Sequence, residues 1–172
     1  TCPVLICALG EERRTLEVGA GEVARWREEW RQLGVERVVL SGGEALMHSD
    51  LFSLCALLRE AGIGITLLSS GLLLARHAEK IAEYVDDLVV SLDGPRDLHD
   101  AIRNVPRAFD RLAEGVRVVR AAGPAGTVTA RCTVQRRNAL RLRHTVADAR
   151  ALDLDRHRPH AVDPPQTTFN RP

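Results

Sequence analysis

Residues 127–134 read TVTARCTV, so Thr127, Thr129, Arg131 and Thr133 fall on one side of an extended chain and Val128, Ala130, Cys132 and Val134 on the other. Apolar runs bounded by turn residues also stand at residues 38–40, 63–68 and 88–90, and amphipathic stretches separate them. Val23, Trp26, Trp30 and Leu33 share one helical face, Leu51, Leu54, Cys55 and Leu58 a second, and Phe109, Leu112, Val116 and Val119 another. A shorter helix covers residues 75–84, and one over about residues 139–152 buries Leu142, Val146 and Ala149. Strands spaced by helices, with no hairpin signal such as Asn-Gly, predict a parallel sheet covered by helices. A strand central to a doubly wound sheet is apolar on both faces, whereas a barrel around a ligand can be polar inside and apolar towards its helices. The half-polar strand at 127–134 therefore favours an open or partial (β/α) barrel. Cys55 and Cys132 both fall on packing faces, which makes them core residues.

Charge narrows the partners. Lys+Arg number 24 against Asp+Glu 23, so no net field draws in nucleic acid or an anionic membrane. The arginines of the last helix read as a solvated face. No apolar run approaches the length of a membrane span and no signal pattern opens the chain, which points to a cytoplasmic location. Four cysteines, Cys2, Cys7, Cys55 and Cys132, are too few and scattered for a disulfide scaffold in 172 residues. Reduced thiols or metal ligands remain.

In such folds ligands sit at the carboxyl ends of the strands. The residues leaving each apolar run are Ser41-Gly42-Gly43-Glu44, Ser69-Ser70-Gly71 and Ser91-Leu92-Asp93-Gly94-Pro95, with Thr129, Arg131 and Thr133 on the fourth. Alone, a Gly-Gly-Glu turn reads as a tight strand-to-helix connection. Together the hydroxyls, exposed amides, two carboxylates and a guanidinium suit a zwitterionic ligand with a sugar: Glu44 for an ammonium, Arg131 for a carboxylate, Ser91 and Asp93 for hydroxyls. Arg131 could instead make an interior salt bridge to Asp93 or Glu44.

The motifs SGGEALMHSDL, LLSSGLLL, VVSLDGPRDLHDAIRNVPRAFDRLAEGV and TARCTVQRRN, in this order and spacing, resemble the radical S-adenosylmethionine enzymes, particularly the peptide- and cofactor-modifying branch that often carries an auxiliary-cluster domain. Ala45 stands where proline is usual, and two serines replace the threonine-asparagine turn. The resemblance implies a partial (β/α) barrel in which a 4Fe-4S cluster binds S-adenosylmethionine and splits it to a deoxyadenosyl radical that abstracts hydrogen from a substrate. It makes Gly42, Gly43 and Glu44 the methionyl-amino site, with Ser70 in the next turn, Ser91 and Asp93 as ribose contacts and Arg131 as a carboxylate contact. The partners implied are a small-molecule cofactor, an external electron donor and, in this branch, a peptide substrate.

The family's cluster is held by three cysteines spaced CxxxCxxC after the first strand. Here Cys2 matches the second, Leu5 stands where the third belongs, and Cys7 lies two residues beyond. Cys2 and Cys7 are the candidate metal ligands. The alignment puts the first strand before Thr1, so residues 1–156 read as a core lacking it, incomplete at both ends. Residues 157–172, where His157, Pro159 and His160 interrupt any apolar pattern, read as an irregular tail left from a sixth-strand region. Two other readings stay open. One is a cluster-less homologue that binds S-adenosylmethionine or a peptide without catalysis. The other is an aldolase-type barrel fragment, which would need a Schiff-base lysine where the chain offers only Lys80, on a helix.

Overall fold

The computed structural model describes residues 4–8, 17–123 and 126–161, and these form one six-stranded, all-parallel sheet. Its strands, β1 (Val4–Ala8), β2 (Arg37–Gly42), β3 (Gly64–Ser69), β4 (Asp87–Ser91), β5 (Thr127–Val134) and β6 (Arg156–Ala161), lie in chain order. Helices α1 (Ala20–Gln32), α2 (Leu51–Glu60), α3 (Leu74–Tyr84), α5 (Ala108–Ala122) and α6 (Leu142–Ala151) fill the crossovers, with α4 (Arg96–Arg103) ahead of α5. A doubly wound sheet reverses strand order at its middle; this one runs in a single direction, the winding of a barrel left open.

The two faces of the sheet differ as expected. Val38 and Leu40, Ile65 and Leu67, Leu88 and Val90, and Val128, Ala130 and Cys132 alternate along their strands and are buried against the helices. They meet Leu54, Leu58, Leu74, Ile81, Leu112 and Val119 from the helical side. Parallel register puts Val39, Thr66, Asp87 and Thr127 in one row across the other face, and Leu68, Val89, Thr129 and Arg156 in the next. That second face is concave and mostly polar.

Four expectations are corrected. A first strand exists after Thr1: β1 pairs with β2 from Val4↔Val38 to Ala8↔Gly42, so β2 is not an unpaired edge. The tail is not irregular from residue 157, because β6 pairs with β5 from Thr129↔Arg156 to Val134↔Ala161. Pro159 is tolerated there because β6 is bonded on one side only and loses no second ladder. The segment after Pro95, which the family resemblance makes a loop carrying His99, Asp100 and Arg103, is instead helix α4, closed by Asn104 in the left-handed region (φ 53). On α1 only Val23 is fully buried; Trp26 and Trp30 are half-buried, their rings tilted against each other with centroids 5.9 Å apart, while Leu33, at 72% exposed, leaves the packing face. Asp153, just past the end of α6, takes the left-handed conformation (φ 56), which aspartate tolerates better than most residues. Among the described residues no helix is long and apolar enough to cross a membrane.

Candidate functional site

The end of β2 makes the sharpest turn of the rim. Gly42 has φ 133, a conformation that side chains disfavour, and Gly43 is exposed with open space where a Cβ would point. The turn delivers Glu44 onto the end of β3. Glu44 Oε1 accepts from Ser69 Oγ (2.9 Å) and Leu46 N (3.2 Å), and Oε2 accepts from Ser70 N (2.9 Å) and from Ser70 Oγ. Each carboxylate oxygen thus has two donors. Two of the four are hydroxyl rotors, which can turn away and release lone pairs to an incoming ammonium. Ser69 Oγ also accepts from Gly71 N (3.0 Å), so the Ser-Ser-Gly turn and the carboxylate hold one another.

At the exits of β4 and β5 a second arrangement is wholly internal. Asp93, 2% exposed, accepts from Thr133 N (2.9 Å) through one oxygen and pairs with Arg103 through the other (2.6 Å). Its backbone N–H donates to His99 Nδ1 (3.2 Å), and its carbonyl accepts from Asn138 Nδ2, which also reaches Thr133 O, both at 2.9 Å. His99 is fully buried; burial first, then the neighbouring Arg103 guanidinium, pulls it down to about 4, so it is neutral near pH 7. Asp100, next along α4, accepts from Arg107 N and Phe109 N, each at 2.8 Å, and so caps α5. The residues His99, Asp100 and Arg103 of the loop motif therefore build structure. The interior pairing considered for Arg131 is made by Arg103 instead, and neither Asp93 nor Glu44 pairs with Arg131 among the described residues. The spacing of His99 and Arg103, one turn apart on an amphipathic stretch, was the available signal for this staple.

Ser91 and Arg131 lie in register on β4 and β5 at the rim, Ser91 half-buried and Arg131 exposed. Below them the concave face holds a cavity of about 430 Å³ with Leu68 and Val89 on its floor and Arg37, Asp87, Thr129, Arg131, Arg156 and Arg158 among its walls. Arg37 pairs with Asp87, which also accepts from Thr127 Oγ1.

The cysteines divide sharply. Cys55 and Cys132 are fully buried on the helical side, and burial pushes their thiols up to about 12 and about 11, so both stay protonated. Cys7 lies in β1 opposite Ser41, one residue short of the strand's carboxyl end, and Leu5 lies mid-strand opposite Val39 rather than in a cluster loop. Cys2 lies outside the described residues. These residues thus bring one cysteine to the rim, where a site-differentiated cluster takes three, and no group of three or more His, Cys, Asp or Glu among them is placed to hold a metal ion. The described residues fit the amino-acid end of S-adenosylmethionine; they do not supply the cluster's ligand set. Near the turn, His48 accepts from Asp50 N (3.1 Å) through Nδ1, and its Nε2 stands 3.8 Å from Glu17 Oε2, both side chains buried.

This geometry has relatives. AdoMet-dependent heme synthase of Methanosarcina barkeri is 35% identical over 109 residues, 62% of this chain and 31% of that protein. GTP 3',8-cyclase of Staphylococcus carnosus is 34% identical over 101 residues, 55% of this chain and 29% of that protein. Among solved structures, Streptococcus suis SuiB superposes with a TM-score of 0.73 at 17% identity, covering 88% of this chain and 35% of SuiB, and places the open barrel among known folds. SuiB has also been solved bound to S-adenosylmethionine and to its precursor peptide SuiA. The chain spans about a third or less of the curated relatives it matches here. Because the Radical SAM superfamily profile matches residues 6–146, most of the chain, the protein belongs to the radical SAM superfamily, which uses S-adenosylmethionine and a 4Fe-4S cluster.

Proposed function

We propose that the chain is the S-adenosylmethionine-binding core of a radical enzyme, carried by one observation: the Glu44 carboxylate, presented by two glycines and buttressed by Ser69 and Ser70, at the carboxyl end of a parallel sheet. With S-adenosylmethionine held there, a 4Fe-4S cluster fed by an external electron donor would supply the reducing electron for deoxyadenosyl-radical chemistry and hydrogen abstraction. Gly42 and Gly43 let the backbone approach the methionyl group, and Glu44 holds its ammonium. Ser70 sets the Glu44 rotamer, Ser91 offers its hydroxyl to the ribose, and Arg131 offers its guanidinium to the methionyl carboxylate. Asp93 enters as a positioning residue, because its oxygens are already engaged by Thr133 and Arg103 while it fixes the strand ends that carry Ser91 and Arg131. A reducing cytoplasm suits the buried free thiols of Cys55 and Cys132.

A second reading, a homologue that binds S-adenosylmethionine without splitting it, is favoured by the single cysteine that the described residues bring to the rim. Calorimetry and iron analysis separate the two. Replacing Glu44→Gln removes the charge that faces the ammonium, at a cost on the order of 1.5 to 3 kcal/mol, so S-adenosylmethionine should bind about tenfold or more weakly. An unchanged dissociation constant would refute the rim assignment in either reading. Wild-type chain that binds S-adenosylmethionine but retains no iron after anaerobic reconstitution is the binding protein; about four irons and release of deoxyadenosine under dithionite mark the enzyme.

A further inference from the structure

The cavity wall opposite the Glu44 turn carries more positive charge than the chain neutralises. Arg131 and Arg158 occupy the same register on adjacent strands, and Arg156 sits in the next row, opposite Thr129. Neighbouring strands are about 4.8 Å apart, and like charges directly opposite each other destabilise a sheet. Among the residues lining the cavity the one carboxylate is Asp87, and it is taken by Arg37 and Thr127. No carboxylate pairs with Arg131, Arg156 or Arg158 among the described residues, whereas Arg27, Arg31, Arg59, Arg103, Arg117 and Arg120 each have one; other arginines without one, such as Arg25 and Arg143, stand exposed on helices rather than side by side in a cavity. His160, in register with Thr133, adds a further donor beside them.

From this we infer that the concave wall of β5 and β6 binds the substrate, and that the substrate is a small molecule carrying at least two carboxylate or phosphate groups. Guanidinium forks on adjacent strands can each take an oxygen pair of such an anion, and Leu68 and Val89 give its carbon frame an apolar floor. A cavity of about 430 Å³ is the size of an ordinary small-molecule site. Arg131 is shared by the wall and the rim, so an anion held on Arg156 and Arg158 would lie next to the cofactor position. That adjacency rests on the reading of the rim given above; the anion site itself does not.

Titration of the full chain in low-salt buffer with citrate, for carboxylates, and inorganic pyrophosphate, for phosphates, tests the assignment. At least one probe should bind, and the tighter of the two names the anionic group. Arg156→Gln and Arg158→Gln should each weaken that probe by about tenfold, and the double variant should abolish binding. Arg143→Gln, on the outer helix α6, should leave it unchanged. No binding of either probe, a double variant that binds like the wild type, or an equal loss in Arg143→Gln would overturn the inference. S-adenosylmethionine titrated in parallel keeps the two readings apart: loss of the probes with the cofactor retained sinks the anion wall alone, and the reverse sinks the rim alone.

Discussion

Replacing Arg103→Met removes the cation from a carboxylate that is 2% exposed and whose other oxygen is committed to Thr133 N. Breaking a buried pair by deleting one partner costs about 3–5 kcal/mol, because the remaining charge is left without compensation. Arg103 keeps 29% of its side chain exposed, so water reaches the pair and the lower end, about 3 kcal/mol, is expected. Against a total stability of order 5–15 kcal/mol this is a large loss, readable as a lower urea midpoint at an unchanged slope. A second substitution isolates the cause. Asp93→Asn keeps an acceptor for the Thr133 N–H but carries no charge, so the double variant Asp93→Asn/Arg103→Met should regain about 1 kcal/mol or more over Arg103→Met. A loss below about 1 kcal/mol in the single variant, the value of an exposed ion pair, or no recovery in the double, would refute the claim that this staple fixes the ends of β4 and β5.

Two further outcomes follow from the same packing. His99 is held near 4 when folded against 6.5 when free, so below about pH 6.5 the unfolded chain takes up a proton that the folded chain refuses. Stability should then fall by roughly 3 kcal/mol between about pH 6.5 and about pH 4, and His99→Gln should flatten that dependence in urea titrations; an equal slope in the variant would exclude His99 as the cause. Gly71 has φ 93, and a Cβ there would meet Leu112 Cδ1 and stand only 3.1 and 3.2 Å from Leu112 Cβ and Cγ, too many atoms for one rotamer change to clear. Gly71→Ala should therefore cost about 2 kcal/mol or more and weaken S-adenosylmethionine binding through the Ser69 turn; a melting temperature within a degree or so of wild type would contradict it.

The alternation at Thr127–Val134 was enough to choose an open barrel, because one strand with a polar and an apolar face reports the chemistry of both sides of its sheet. The Gly-Gly-Glu turn was legible for a similar reason: backbone freedom and charge are written in adjacent residues. The edge strands were not legible. The inward positions of β6 face a polar hollow and its other side meets few helical residues, so neither of its rows needs to be apolar, and His157, Arg158 and His160 read as tail. The staple was hidden by distance along the chain. Asp93 meets Thr133 forty residues on and Asn138 forty-five on, and nothing local announces either bond. Ser91 and Asp93, two residues apart, thus differ in a way the sequence does not show: Asp93 is buried and bonded by its own chain, and Ser91 is half-buried at the rim.

Whether a polar side chain in this fold serves the fold or a ligand is decided by where its partner lies. Asp93, His99, Asn138 and Ser69 are buried, and each is hydrogen-bonded by its own chain, as burial of a polar group demands. Arg131, Arg156 and Arg158 line the open hollow and Ser91 stands at its rim, and among the described residues their side chains have no such bond. In the first set only His99 Nε2 is left without a partner among the described residues. The second holds like charges side by side on neighbouring strands, a loss that replacement by threonine or valine would remove. A domain that needed only to be stable would carry threonine or valine along β5 and β6 in place of the guanidinium groups. Their presence on the concave wall, with a hydrogen-bonded staple locking the strand ends beside them, divides the work: the helical side supplies the stability that lets the inner side stay unsatisfied until an anion arrives.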